Sequence, residues 1–121
     1  VKAPIMYVTG SEDTLVTPAK VLQQYDGTPA TQSKVFAEVT GYGHMKLAES
    51  DAFSYFTAAF FNCHLLKRST GTASCGSIYG SSQTDWCPLC GNLTGCPHPW
   101  PMTACKTHEA PAAELLLRRE E

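Results

Sequence analysis

Hydrophobic positions in the first half of the chain change period repeatedly, and each change predicts an element. "PIMYVTG", Pro4–Gly10, is short and nearly all apolar, the pattern of a strand buried on both faces. "AKVLQQY" places Val21, Leu22 and Tyr25 on one helical face. Thr17 reads as the N-cap of that helix, and Pro18 takes the first helical position, where its missing amide costs nothing. Asp26-Gly27 ends it. "KVFAEVTG", Lys34–Gly41, alternates Val35, Ala37 and Val39 with Phe36 and Glu38 and predicts a second strand. Asp51–Leu65 then sets Phe53, Phe56 and Phe60 on one line with Ala52, Ala59 and Cys63 beside it, a helix whose aromatic face needs a sheet to cover. Strand, helix, strand and helix in that order give parallel pairing through a right-handed crossover.

Beyond this segment the patterning fades. Residues 67–86 are rich in Gly, Ser and Thr and predict loops, with at most a short helical turn near Cys75–Tyr79. Between Cys87 and Cys105 stand four cysteines and four prolines (Pro88, Pro97, Pro99 and Pro101), so an irregular stretch is expected. "EAPAAELLLRREE" closes the chain, either as a last helical turn or two led by Pro111 or as a frayed tail. The expected organisation is an α/β portion over residues 1–80 and a cysteine- and proline-rich irregular extension over residues 81–121.

Composition narrows the classes. With 121 residues the chain holds one small domain, long enough for a core and short for a complete α/β enzyme. Hydrophobic content of 43% against 17% charged is that of a globular protein. A net charge of −2 gives no basic footprint for nucleic acid. No apolar run approaches the roughly 20 residues that span a bilayer. Val1 and Lys2 lead straight into a strand-like run, as expected of a processed product or a piece of a longer chain.

Six cysteines, all in the second half, point to disulfides and an oxidising or secretory compartment. Asn92-Leu93-Thr94 is a glycosylation sequon, which fits a secreted loop. Cys63 and Cys75 enclose a loop of about a dozen residues, over which a bond removes roughly 3 kcal/mol of unfolded-chain freedom; Cys87 competes as partner. "CPLC", Cys87–Cys90, with Cys96, Cys105 and His108 raises zinc, but the second C-x-x-C pair that structural zinc commonly uses is missing. No metal ligand set and no cofactor are expected.

Two turns carry candidate chemistry. Asp13 leaves the first predicted strand and His44 leaves the second, so both fall at the carboxyl rim of a parallel pair, where reactive groups gather. A carboxylate on one imidazole nitrogen fixes the tautomer and steadies the imidazolium formed when the other nitrogen takes a proton. Gly41 and Gly43 let the backbone turn tightly around the histidine. Glu12 is a neighbouring rival for the acid. Tyr7, Tyr42 and Met45 are candidates for either an acyl pocket or ordinary packing. His64 falls at a helix end.

These segments resemble a family. "PIMYVTGSEDTLVTP" followed by "KVFAEVTGYGHM" is similar to the acid and histidine segments near the C-terminus of α/β-hydrolases, in particular the esterases grouped with dienelactone hydrolases, cutinase-like polyester hydrolases and chlorophyllases. "SYFTAAFFNCHLL…ASCGSIYG" looks like the closing helix of such enzymes, where a cysteine at the helix end and another before an "IYG"-type turn recur. The resemblance covers roughly residues 3–80. It implies a C-terminal portion of an α/β-hydrolase fold (parallel β-α-β-α), with Asp13 as triad acid and His44 as triad base of a serine-dependent carboxylic ester hydrolase.

The chain departs from that pattern in one large respect. The family's serine sits in a G-x-S-x-G elbow before the acid and histidine, and no such pentapeptide occurs here; "GTASCG" and "GSIYGSS" do not fit. The expectation is a fragment that carries base and orienter without the group they activate, inactive alone and meeting ester substrate only in the complete enzyme. The rival expectation is a non-catalytic secreted or assembly-associated module whose cysteine-rich tail binds a partner. Either way the aromatic helix face and a strand edge call for a cover: the tail, a second copy or the remainder of the enzyme.

Overall fold

The computed structural model describes residues 3–66, 75–80, 89–90 and 100–111. Strand β1 (Ile5–Gly10) leads to helix α1 (Pro18–Gly27), strand β2 (Lys34–Val39), a 3-10 turn (Leu47–Glu49), helix α2 (Asp51–Leu66) and strand β3 (Met102–His108). The three strands form one mixed sheet in the order β1-β2-β3. β1 and β2 are parallel, Ile5 opposite Lys34 through Gly10 opposite Val39. β3 runs antiparallel on the other side of β2, with a register shift at Glu38/Val39.

Helix α1 begins where the Thr-Pro step predicts. Pro18 stands in the first turn, yet the Thr17 side chain makes no capping bond; the Thr17 carbonyl accepts the amides of Lys20 and Val21 instead. The helix runs through Gly27 and closes on Thr28, whose hydroxyl donates to the Gln24 carbonyl at 2.8 Å. Lys34 Nζ then donates to the Tyr25 and Thr28 carbonyls at 2.9 and 2.8 Å and lies over the Tyr25 ring, a cation at the negative end of the helix.

β2 is the centre of the molecule because it has neighbours on both edges and helices on both faces. Val35, Ala37 and Val39 share one face with Ala52, Phe56, Ala59 and Phe60 of α2. Phe36 points the other way, onto Val21 and Tyr25 of α1. Trp100 stacks on Phe56 with centroids 6.0 Å apart, which joins the segment before β3 to the α2 core. Removing a ring such as Phe56 from this layer would cost about 3–5 kcal/mol.

Three expectations change. β1 was expected to be buried on both faces; Ile5 to Val8 are half-buried, and only Thr9 and Gly10 are fully covered, because among the described residues β1 is an edge strand. Residues 102–108 were expected to be irregular; they are β3. The prolines that preclude a ladder end at Pro101, and "MTACKTH" beyond them supplies the amides that pair with β2. The tail thus covers the outer edge of β2 within the same sheet. Cys90 and Cys105, not singled out as a pair, are bonded and tie the preceding loop to β3.

Cys63 and Cys75 form a disulfide, and residues 75–79 make the short helical turn expected near them. Among the described residues no cysteine is free, which suggests an oxidising environment. No helix among the described residues is long and apolar enough to cross a membrane. Cys87, Asn92 and the terminal "LLLRREE" lie outside the described residues.

Candidate functional site

Two turns leave the same rim of the parallel pair and are stitched together by backbone. The Ser11 amide donates to the Val39 carbonyl at 2.9 Å and the Glu12 amide to the Tyr42 carbonyl at 3.0 Å. Gly41 N–H donates to Ser11 Oγ at 2.8 Å, and Gly41 holds φ +81°, the left-handed conformation that lets the second turn double back. β3 steadies the same turn: the Thr40 amide donates to the Pro101 carbonyl at 2.8 Å, and the Thr40 and Thr103 hydroxyls are 2.7 Å apart.

Gly10, the last residue of β1, is what permits this approach. A Cβ placed there would lie 1.9 Å from the Tyr42 carbonyl oxygen. No side chain larger than hydrogen fits.

The scaffold brings Asp13 and His44 together. His44 Nδ1 and Asp13 Oδ2 are 2.9 Å apart. Asp13 Oδ1 accepts the amides of Leu15 and Val16, both at 3.0 Å, so both carboxylate oxygens are engaged. The Asp13 side chain is 6% exposed and that of His44 43%, placing the acid beneath and the ring at the surface. Burial by itself raises the Asp13 pKa; the hydrogen bond from His44, then those from Val16 and Leu15, outweigh it and hold the carboxyl below its ordinary value. An ionised Asp13 accepts, so Nδ1 carries the hydrogen and donates, which leaves Nε2 as the basic nitrogen.

The other candidates sort by position. Glu12 is exposed, and it is Asp13, not Glu12, that meets His44 Nδ1. Tyr7 packs toward α1 and bonds to the Thr28 hydroxyl at 2.8 Å, away from the rim. Tyr42 lies against the α2 core with Lys46 over its ring. Met45 is 77% exposed and Leu15 73%, so each of the two turns carries an exposed apolar side chain. Sequence reasoning missed the part played by Ser11; its signal was its place opposite the Gly41 turn, visible only once the strands are in register.

The arrangement can hold an imidazole in one tautomer and offer its free face as a proton acceptor to a group at the surface. His64 does not join it: its Nε2 meets the Tyr79 hydroxyl at 2.7 Å at the far end of α2. No protein-family model matches this chain, and no curated protein matches it.

Proposed function

We propose that this chain is the C-terminal part of an α/β-hydrolase-fold serine esterase and supplies the acid and the base of its triad. The observation that carries the reading is the 2.9 Å contact between His44 Nδ1 and a nearly buried Asp13 whose second oxygen is held by two amides. A surface charge pair has no need of that bracing, whereas a base that must keep one tautomer through a reaction does. The mixed α/β architecture, with acid and imidazole after consecutive parallel strands, supports the same reading.

In the complete enzyme His44 Nε2 takes the proton of a serine hydroxyl as its oxygen attacks the ester carbonyl. The proton then passes to the leaving alcohol, and water enters by the same route to release the acid. Asp13 holds the ring and stabilises the imidazolium between those steps. The serine arrives from a separate segment. Exposed Leu15 and Met45 on the two turns favour esters with an uncharged, hydrophobic acyl or alcohol group.

A fluorophosphonate probe tests this. The 121-residue chain alone stays unlabelled, whereas a polypeptide that joins it to a serine-elbow segment is labelled and loses labelling in His44→Ala. Labelling of the chain alone, or labelling indifferent to His44, overturns the proposal. The second reading, a non-catalytic module, is favoured by β3 and the Cys90–Cys105 bond, which add the extension to the sheet itself. It predicts that no serine-bearing segment confers labelling.

A further inference from the structure

The histidine turn contains its own soft point. Gly41 holds φ +81°, and glycine takes either sign of φ at little cost, so this residue is a pivot three positions before His44. Among the described residues a Cβ at Gly41 or Gly43 would meet nothing within 4 Å, so packing does not fix the turn at either glycine. Hydrogen bonds must do so. The Thr40 amide is tied to the Pro101 carbonyl, and the Tyr42 carbonyl accepts the Glu12 amide. Between them the Gly41 amide donates to Ser11 Oγ at 2.8 Å.

Ser11 is a fixed point from which to hold that pivot. It directly follows β1, and its amide donates to the Val39 carbonyl at 2.9 Å, which carries the parallel ladder one residue beyond the strand end. The anchored main chain places the hydroxyl against the histidine turn. Two side chains of the acid turn thus reach across: Asp13 meets the ring, and Ser11 meets the backbone that carries the ring. The peptide between Thr40 and Gly41 is planar, so holding the Gly41 N–H sets the orientation of the whole unit. It thereby sets the φ about which residues 42–44 swing.

We propose that Ser11 is a positioning residue of the acid–imidazole pair: its hydroxyl oxygen fixes the Gly41 pivot and so keeps His44 Nδ1 within reach of Asp13. The contact acts on direction more than on stability. It is exposed, so water takes the Gly41 amide when the hydroxyl is removed, and no buried donor is stranded. Water imposes no fixed direction, and the pivot then drifts. The consequence for ester hydrolysis rests on the esterase reading, whereas the effect on the imidazole does not.

The test uses the full 121-residue chain and compares Ser11→Ala with Ser11→Thr, which keeps an oxygen on the same carbon. Imidazole nitrogen resonances of the neutral ring give the ratio of the Nε2-H to the Nδ1-H tautomer at His44. A hydrogen bond of ordinary net strength biases an equilibrium about fivefold. The ratio is therefore expected to rise about fivefold in Ser11→Ala, with the urea midpoint little changed, and to return to the parent value in Ser11→Thr. An unchanged ratio in Ser11→Ala, whatever the midpoint does, overturns the proposal, as does a Ser11→Thr variant that behaves like Ser11→Ala. A second measurement needs no variant and decides the matter even where Ser11→Ala does not fold. The Gly41 amide of the parent should exchange at least about tenfold more slowly than in an unstructured chain, and exchange at the unstructured rate refutes the hold by Ser11. The fluorophosphonate experiment answers separately for the ester chemistry: a joined polypeptide that is never labelled removes the esterase reading, and the tautomer ratio still decides the role of Ser11.

Discussion

Gly10→Ala is the sharpest test of how the Asp13–His44 contact is built. The new Cβ would stand 1.9 Å from the Tyr42 carbonyl oxygen and 2.5 Å from its carbon, whereas real Cβ atoms essentially never come under 3.0 Å. The two backbones must therefore separate by about 1.1 Å. Both sides of the clash are main chain, so no rotamer relieves it. The Glu12 amide to Tyr42 carbonyl bond, now 3.0 Å, stretches past hydrogen-bonding range. His44 lies two residues beyond Tyr42 and moves with it, so its 2.9 Å contact with Asp13 opens as well.

Overpacking of this kind costs about 1–3 kcal/mol, and one lost backbone bond about 1 kcal/mol more. A total of about 2–4 kcal/mol, divided by a urea m-value of about 1.5 kcal/mol/M, lowers the unfolding midpoint by about 2 M. The assay is urea unfolding of both proteins, with imidazole nitrogen resonances recorded under native conditions to identify the His44 tautomer. Gly27→Ala is the control. A Cβ there meets nothing within 4 Å, and alanine in a helix is expected to be neutral or to stabilise by up to about 1 kcal/mol. An unchanged midpoint in Gly10→Ala together with an unchanged His44 tautomer would refute the claim that Gly10 sets the spacing of the turns.

Asp13→Asn should flatten the acid limb of stability. The carboxyl pKa is lower in the fold than the ordinary 3.8, so its contribution is fully present above that value and is lost as pH falls through it toward the depressed native one. Urea midpoints against pH should show a shallower acid slope in the variant, and equal slopes would contradict the bracing of Asp13. Cys90→Ser/Cys105→Ser opens a bond between residues 15 apart and should cost about 3 kcal/mol. Amide exchange along β2 and β3 should quicken and light scattering rise as the β2 edge is uncovered; unaltered exchange would show that β3 holds without its tether. Thr9→Val removes a buried hydroxyl with no partner among the described residues, at nearly unchanged shape, and should raise stability by about 1 kcal/mol. A fall of that size in thermal or urea unfolding would mean that the hydroxyl is bonded.

Much of the fold is local enough to read from residue order. Thr17-Pro18 marks the start of α1 because proline needs no amide there, and the aromatic line of α2 ends within a residue of its expected limit because helical period alone decides it. The nearness of Asp13 and His44 follows from one strand–helix–strand unit that sets both turns on one rim. What distinguishes Asp13 from Glu12 is less visible: only Asp13 can fold its second oxygen back onto the Leu15 and Val16 amides. β3 was hidden because prolines and cysteines dominate the sequence before it, and its ladder depends on β2, more than 60 residues earlier in the chain. Cys90–Cys105 shares that origin, since pairing follows tertiary approach and not spacing.

The two outer edges of the sheet differ in a way that bears on the site. β3 carries Lys106 and His108, follows Pro101 and is tethered by a disulfide, the usual means by which an edge is kept from recruiting another strand. β1 also follows a proline, Pro4, but "IMYVTG" holds no charge and no cysteine, and its first four residues are only half-buried. Among the described residues, growth of the sheet is therefore opposed more at β3 than at β1. A strand added parallel to β1 would end at the rim where Asp13 and His44 already meet, and a side chain on the turn leaving that strand would approach the exposed face of the imidazole. Among the described residues the acid–imidazole pair is held by the turns after β1 and β2 and steadied by β3, so its geometry needs no further strand.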